Sequence, residues 1–197
     1  SYRGMEVTRD TAWGTLTRYT TSESLLRHAL AVEAARLDIG LNIDAEEAAR
    51  LDISLDVIEA ISGSPELKGW DGFGVVVQAY QKRAPFVIDW LADMARRHGR
   101  RLMVRLVKGA YWDSEIKRAQ VDGHADYPVY TQKSHTDVSY LVCAEKLLQA
   151  GDAIYPQFAT HNAHTVAAIV HMANPAHYKA GQYEIQCSHG MGAALYD

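Results

Sequence analysis

The sequence predicts an α/β fold around a parallel sheet, either doubly wound or a TIM-barrel-type (β/α)8 sheet, and if a barrel then an incomplete one with about five βα units present. Three observations carry this reading. Short apolar runs alternate with longer stretches of helical period, which argues for parallel strands joined by crossover helices. The first run is followed by Asp44-Ala45-Glu46-Glu47, not by the glycine-rich turn of a doubly wound dinucleotide fold, so that alternative weakens. Finally, 197 residues suffice for one domain with a buried core but fall short of the roughly 250 that a complete barrel needs.

The elements follow in chain order. Glu23–Leu37 places Leu25, Leu26, Ala29 and Leu30 at helical spacing, with Ser22 in position to cap it. Ile39–Asp44 (IGLNID) reads as the first strand, and Ala45–Ile61 as a helix following it directly and stopping near Gly63. Gly74–Tyr80 (GVVVQAY) is a second strand. Pro85–Arg97 opens on proline and ends at Gly99, the expected asymmetry of helix start and stop. Leu102–Lys108 (LMVRLVK) is the third strand, Thr136–Ala150 a helix ending at Gly151, and Ile154–His161 (IYPQFATH) the fourth strand. Ala163–Met172 forms a helix that stops before Pro175, and Tyr183–His189 (YEIQCSH) is the fifth strand. Residues 1–37 read as an N-terminal segment with a helix, and 38–197 as the partial barrel.

Composition excludes more than it selects. A formal charge of −4 gives no electrostatic footprint for nucleic acid. Ser1–Thr20 is polar and charged, unlike a signal peptide, and no apolar run approaches the roughly 20 residues of a membrane span. Cys143 and Cys187 are too few for a disulfide scaffold and form no CxxC pair. A reducing, cytoplasmic setting is the expectation.

In parallel α/β proteins the chemistry lies beyond the carboxyl ends of the strands. Those ends carry Asp44, Gln78, Arg105 with Lys108, Thr160 with His161 and Asn162, and Gln186 with His189. Five strand ends closing on polar groups point to a ligand site. Arg105 interrupts the apolar strand Leu102-Met-Val-Arg-Leu-Val107. Its guanidinium cannot shed its charge, so burial demands either an ion pair, with Asp44 or another carboxylate, or an anionic or electron-rich ligand. Gly109 and Ala110 let backbone amides approach a phosphate or a flat ring closely, or simply make a turn. Tyr111 and Trp112 read equally well as caps on a barrel core. His161, His164 and His189 raise the alternative of a metal centre, although no HxH pair lies on a strand and His164 reads as an ordinary helix residue. The basic stretches Lys82-Arg83 and Arg96–Arg101 read as solvated surface.

Several long strings carry a resemblance. Arg105–Gln120 (RLVKGAYWDSEIKRAQ), Asn42–Glu47 (NIDAEE), Val77–Arg83 (VQAYQKR), Tyr127–Thr131 (YPVYT), Thr136–Tyr140 (TDVSY), Tyr155–Thr165 (YPQFATHNAHT) and Gly181–Cys187 (GQYEIQC) stand in order from about Asp38 onward. Together they resemble the proline dehydrogenase domain of the bifunctional proline utilization A proteins. The resemblance implies a distorted (β/α)8 barrel that holds FAD and oxidises L-proline to Δ1-pyrroline-5-carboxylate by hydride transfer to flavin N5. Electrons then pass to a quinone. It implies that Arg105 lies by the flavin N5 edge and Gln78 by the pyrimidine side. Val76, Val107, Lys108, Gly109, Ala110 and Trp112 would wrap the cofactor, with further contacts from Thr160, His161, Asn162 and Gln186. Asp44 and Tyr111 would lie near the proline pocket, and Arg105, Asp44 and Tyr111 form the catalytic set. No resident metal is implied. The parent protein would carry an aldehyde dehydrogenase module, act in the cytoplasm or peripherally at the inner membrane, and leave homo-oligomerisation open.

Departures from the pattern shape a further expectation. No strand bearing the family's active-site lysine is recognisable before Ser22, and the chain ends before the strands that bring the paired arginines of the carboxylate clamp. Ser188 stands where a leucine is usual, and Ala193-Ala194 where Glu-Pro is usual. This chain by itself is therefore expected to turn over little proline. A non-catalytic fragment acting by association, and a metal-dependent barrel hydrolase using Asp44, His161 and His189, are the alternatives from other classes.

Overall fold

Every second residue of the run Leu102–Val107 is fully buried, and this alternation sets the architecture. In the computed structural model, which describes residues 6–11, 14–19, 22–192 and 195, the run is a strand, β5. It sits in the middle of a parallel sheet of β3 (Leu41–Ile43), β4 (Phe73–Gln78), β5 (Leu102–Val107), β6 (Ile154–Ala159) and β7 (Glu184–Gln186). The spatial order of these strands is their chain order. A doubly wound sheet reverses direction at a switch point; an unbroken sequential order is the winding of a TIM-type barrel.

The two faces of the sheet differ. Leu102, Val104 and Leu106 are buried on β5 while Met103, Arg105 and Val107 are half-buried. The buried face meets α3 (Ala84–Arg97) and α5 (Lys133–Gln149), whose Ile88, Leu91, Met94, Tyr140, Cys143 and Leu147 join one core with Val75, Phe158 and Ile154. The Tyr140 hydroxyl donates to the carbonyls of Leu106 and Ala159, each at 3.2 Å, and so ties α5 to two neighbouring strands. The opposite face mixes apolar residues such as Val76, Met103 and Val107 with Gln78, Arg105 and Gln157, and carries the site described below. α1 (Ser22–Arg36) adds Ala31 to the same core.

The predicted strands and helices are present, with corrections at their ends. The helix expected directly after the first strand begins later, as a turn at Ala48–Arg50 followed by α2 (Leu51–Ser62). The preceding loop is held open by tertiary bonds: Gln78 Nε2 donates to the Glu46 carbonyl at 2.8 Å, and Ala48 N donates to the buried Glu115 carboxylate at 2.5 Å. Helix α5 starts at Lys133, a turn before the predicted Thr136, because Lys133 and Asp137 form an i,i+4 pair at 2.7 Å over a first turn with no apolar signal. A helix that periodicity did not indicate, α4 (Trp112–Val121), follows β5; only Glu115 and Ala119 of it are buried, so it has little apolar stripe to detect. Ahead of α1 lies an antiparallel hairpin, β1 (Glu6–Thr11) with β2 (Gly14–Tyr19), which forms its own sheet. α1 includes Ser22 instead of being capped by it. α6 (Ala163–Met172) matches its predicted bounds.

The basic stretch before β5 is only partly solvated surface. Arg96 pairs with Asp152 at 2.8 Å and Arg97 with Glu59 at 2.9 Å in the open, but the Arg101 guanidinium stacks over the Tyr155 ring at 5.1 Å from its centroid. Arg100 is half-buried, its guanidinium donating to the Leu67 carbonyl at 3.4 Å. Ala193 and Ala194 lie outside the described residues.

Candidate functional site

A cavity of about 580 Å³ opens at the carboxyl ends of β3 to β6, a size typical of sites for small molecules and cofactors. Asp44, Val76, Gln78, Arg105, Val107, Lys108, Gly109, Ala110, Tyr111, Thr160, His161 and Asn162 all line it. The strands bring them together because Val76, Arg105 and Gln157 stand opposite one another in register, so residues on the same pleat share the inner face.

Arg105 is half-buried and makes one hydrogen bond to the described residues, from Nε to Gln186 Oε1 at 2.8 Å. Among the described residues it forms no ion pair with Asp44 or any other carboxylate. Gln186 does not line the cavity itself but reaches it through this bond. Gln78, fully engaged at the other wall, donates to Glu46 O at 2.8 Å and accepts from Ala110 N at 3.0 Å. It thereby fixes the β3 and β5 loops relative to each other across the cavity mouth.

The Lys108-Gly109-Ala110 turn requires its glycine. Gly109 adopts φ +145, and a Cβ there would lie 2.4 Å from the buried ring of Tyr80. Burial, and then the Glu115 carboxylate, push the Tyr80 phenol up to about 12. On the cavity's outer rim Lys108 donates to Asp137 at 2.5 Å and Lys133 to the other oxygen at 2.7 Å. The Lys108 bond first, then the Lys133 bond, hold the Asp137 carboxyl below the ordinary carboxylate range.

The β6 end is organised locally. Asn162 caps α6, its Oδ1 accepting from Thr165 N at 3.0 Å and from the Thr165 hydroxyl at 3.2 Å. Thr160 Oγ1 accepts from Asn162 N at 3.2 Å, and His161 Nε2 accepts from Ser188 N at 2.9 Å. With that lone pair engaged, His161 Nε2 is not free for a metal. No three His, Cys, Asp or Glu side chains group as metal ligands among the described residues. His164 is exposed on α6, and exposed His189 does not line the cavity.

Trp112 also lies outside the cavity lining. It is exposed at the start of α4 and donates from Nε1 to Tyr130 O at 3.0 Å, so it does not cap a barrel core. Sequence reasoning missed Lys133, Ala159 and Ala45 in the lining and Asp137 behind it. The i,i+4 spacing of Lys133 and Asp137 was a readable signal; nothing local marks Ala159 or Ala45.

Comparison with known proteins decides the family. The model of the proline dehydrogenase family matches residues 5–197. The chain belongs to the proline dehydrogenase family. It is 65% identical over 169 residues to the bifunctional protein PutA of Salmonella typhimurium, a match covering 86% of this chain and 13% of that protein. To the bifunctional protein PutA of Escherichia coli the identity is 64%, over the same shares. A solved structure of a Bradyrhizobium japonicum proline utilization A mutant superimposes with TM-score 0.83 at 55% identity, covering 88% of this chain and 17% of that one. Proline utilization A from Bdellovibrio bacteriovorus, solved after inactivation by N-propargylglycine, gives 0.79 at 32% identity, covering 87% and 18%. The chain thus spans a small part of the relatives it matches, and within the proline dehydrogenase fold it accounts for part of the barrel.

Proposed function

We propose that this domain binds FAD in the strand-end cavity and takes part in oxidising L-proline to Δ1-pyrroline-5-carboxylate, with electrons passed on to a quinone. One observation carries the reading: Arg105 is a half-buried permanent cation facing a cavity, and no described carboxylate neutralises it. A guanidinium so placed calls for a ligand that is anionic or becomes so.

The donor set fits such a cofactor. Arg105 keeps guanidinium N–H groups free of described partners, Lys108 and Lys133 share the one Asp137 carboxylate and so leave the rim net positive, and the Gly109 turn leaves backbone close to the cavity. FAD, when bound, supplies the acceptor, at flavin N5, for the hydride leaving proline C5. The remaining work falls to side chains of the chain. The Arg105 charge favours negative charge developing in its part of the cavity, and Lys108 and Lys133 favour the anionic arm of the cofactor. Val76, Val107 and Ala110 give an apolar lining that lowers the local dielectric. Thr160, His161 and Asn162 complete the proposed cofactor contacts, Gln186 acts on the cavity through Arg105, Trp112 stands beyond the lining at the start of α4, and Asp44 and Tyr111 border the proline end. The setting in the parent protein is cytoplasmic, with peripheral contact to the inner membrane and an aldehyde dehydrogenase module.

The test is anaerobic addition of L-proline to the FAD-loaded protein that carries this domain. Bleaching of the oxidised flavin band, abolished by Arg105→Met, is the expected result. A band that persists with L-proline yet bleaches with dithionite would overturn the proline assignment.

A further inference from the structure

Behind Arg105 the inner face of the sheet holds a relay through Gln186 that ends on Glu184, a residue the cofactor reading leaves unused. Glu184 on β7 stands opposite Gln157 on β6, and Gln157 stands opposite Arg105 on β5. Glu184 Oε1 accepts from Gln186 Nε2 at 2.6 Å and from Gln157 Nε2 at 2.9 Å. Its Oε2 accepts from the Tyr155 hydroxyl at 3.0 Å. The other end of the Gln186 amide accepts from Arg105 Nε at 2.8 Å.

The chemistry of the groups fixes the direction of this chain. A carboxylate only accepts and a guanidinium only donates. A glutamine amide lying between them satisfies both in one orientation, with its NH2 toward Glu184 and its carbonyl toward Arg105. Turned over, it would put a carbonyl against a carboxylate and an NH2 against a guanidinium, losing two bonds and gaining two repulsions. Glu184 therefore determines what Gln186 offers to Arg105. The path is open because the β6 residue opposite Gln186 is Ala159, whose side chain ends at Cβ.

We propose that Glu184 is a positioning residue, acting through Gln186 to hold the Arg105 guanidinium at the cavity wall. Two features support it. Glu184 has three donors converging on it, from Gln186, Gln157 and Tyr155, which fix its carboxylate in place on the strand. The Tyr155 hydroxyl, which can only donate to the carboxylate, adds a tie from β6, and burial, and then the bond to Glu184, raise its phenol above the ordinary value. The consequence for flavin rests on the cofactor reading; the positioning itself does not.

The experiment is arranged to separate the two. In the flavin-free chain, hydrogen exchange at Arg105 Nε–H is followed by NMR for the unmodified protein, Glu184→Gln and Gln186→Ala. Loss of one charge-assisted hydrogen bond predicts exchange about five- to tenfold faster in Gln186→Ala, with Glu184→Gln matching it. The double variant Glu184→Gln/Gln186→Glu presents a carboxylate directly to Arg105 and is expected to restore slow exchange, which a merely structural loss would not. Exchange in Glu184→Gln equal to the unmodified protein, with Gln186→Ala fast, would overturn the proposal. So would a double variant that stays fast.

FAD titration supplies the second arm. Glu184→Gln is expected to weaken FAD about fivefold or more when Arg105 is present and less than about twofold in an Arg105→Met background, the coupling expected of residues that act as a unit. Equal losses in both backgrounds would overturn the proposal. If the unmodified chain binds no FAD, the cofactor reading fails, and the exchange measurement alone decides the positioning.

Discussion

Replacing Gly109 by alanine probes the turn on which the cavity wall depends. Two costs add at this position. A non-glycine residue at φ +145 is strained, by about 1–3 kcal/mol. Its Cβ would also stand 2.4 to 2.7 Å from three ring carbons of Tyr80, which is only 2% exposed and cannot swing into solvent. Displacing a packed ring costs about 1–3 kcal/mol more. The sum is about 4 kcal/mol, or about 8–16 °C in Tm for a chain of this size. Gly99 is the internal control. It has φ +61 with nothing within 4 Å of its would-be Cβ, so alanine there meets only the backbone cost, about 1 kcal/mol and about 2–4 °C. Thermal unfolding followed by circular dichroism measures both. The reasoning is refuted if Gly109→Ala loses no more than Gly99→Ala, because contact with Tyr80 would then contribute nothing. FAD affinity should fall only in the Gly109 variant, since the adjacent Ala110 N–H and Lys108 carbonyl tie the turn to Gln78 and Tyr80.

Three further outcomes are expected. Cys143 is buried and its thiol is pushed up to about 11 by desolvation, whereas Cys187 is exposed. A thiol reagent such as DTNB should therefore titrate one cysteine in the native chain and two after unfolding; two fast native thiols would contradict the placement of α5. Asp137 has a folded pKa depressed below its ordinary 3.8. Its contribution is thus complete above that value and lost as pH falls through the lower folded value. Urea midpoints measured from about pH 7 down to about pH 3 should decline less steeply at the acid end for Asp137→Asn than for the unmodified chain, and identical acid limbs would contradict the Lys108–Asp137–Lys133 geometry. Ala159→Leu should leave the helix-packed core intact while obstructing the reach of Arg105 to Gln186; FAD affinity falling about tenfold or more with Tm changed by only a few degrees is the expected pattern, and unchanged affinity would count against the cavity as the site.

What the sequence made legible follows from physical contrast. Arg105 stood out because a permanent charge interrupts an apolar strand. The strand-end residues stood out because parallel sheets deliver their carboxyl ends to one rim. Loops held by long-range bonds were not legible: Ala45 to Glu47 have helical composition, and bonds from Gln78 to Glu46 and from Ala48 to Glu115, 32 and 67 residues apart in sequence, hold the loop there. Helix α4 was hidden because its buried face is a carboxylate and an alanine. Glu184 was overlooked although Glu184 and Gln186 alternate on one strand face. Period-2 polar residues signal an inner face only once register places Gln157 beside them.

The central claim is that the ends of these strands build a flavin site. Its most direct measurement is the visible absorption spectrum of the purified protein after incubation with FAD and desalting, on a sample whose far-ultraviolet circular dichroism shows it folded. The account predicts an oxidised-flavin band retained at about one FAD per chain. A folded protein that emerges colourless would contradict it.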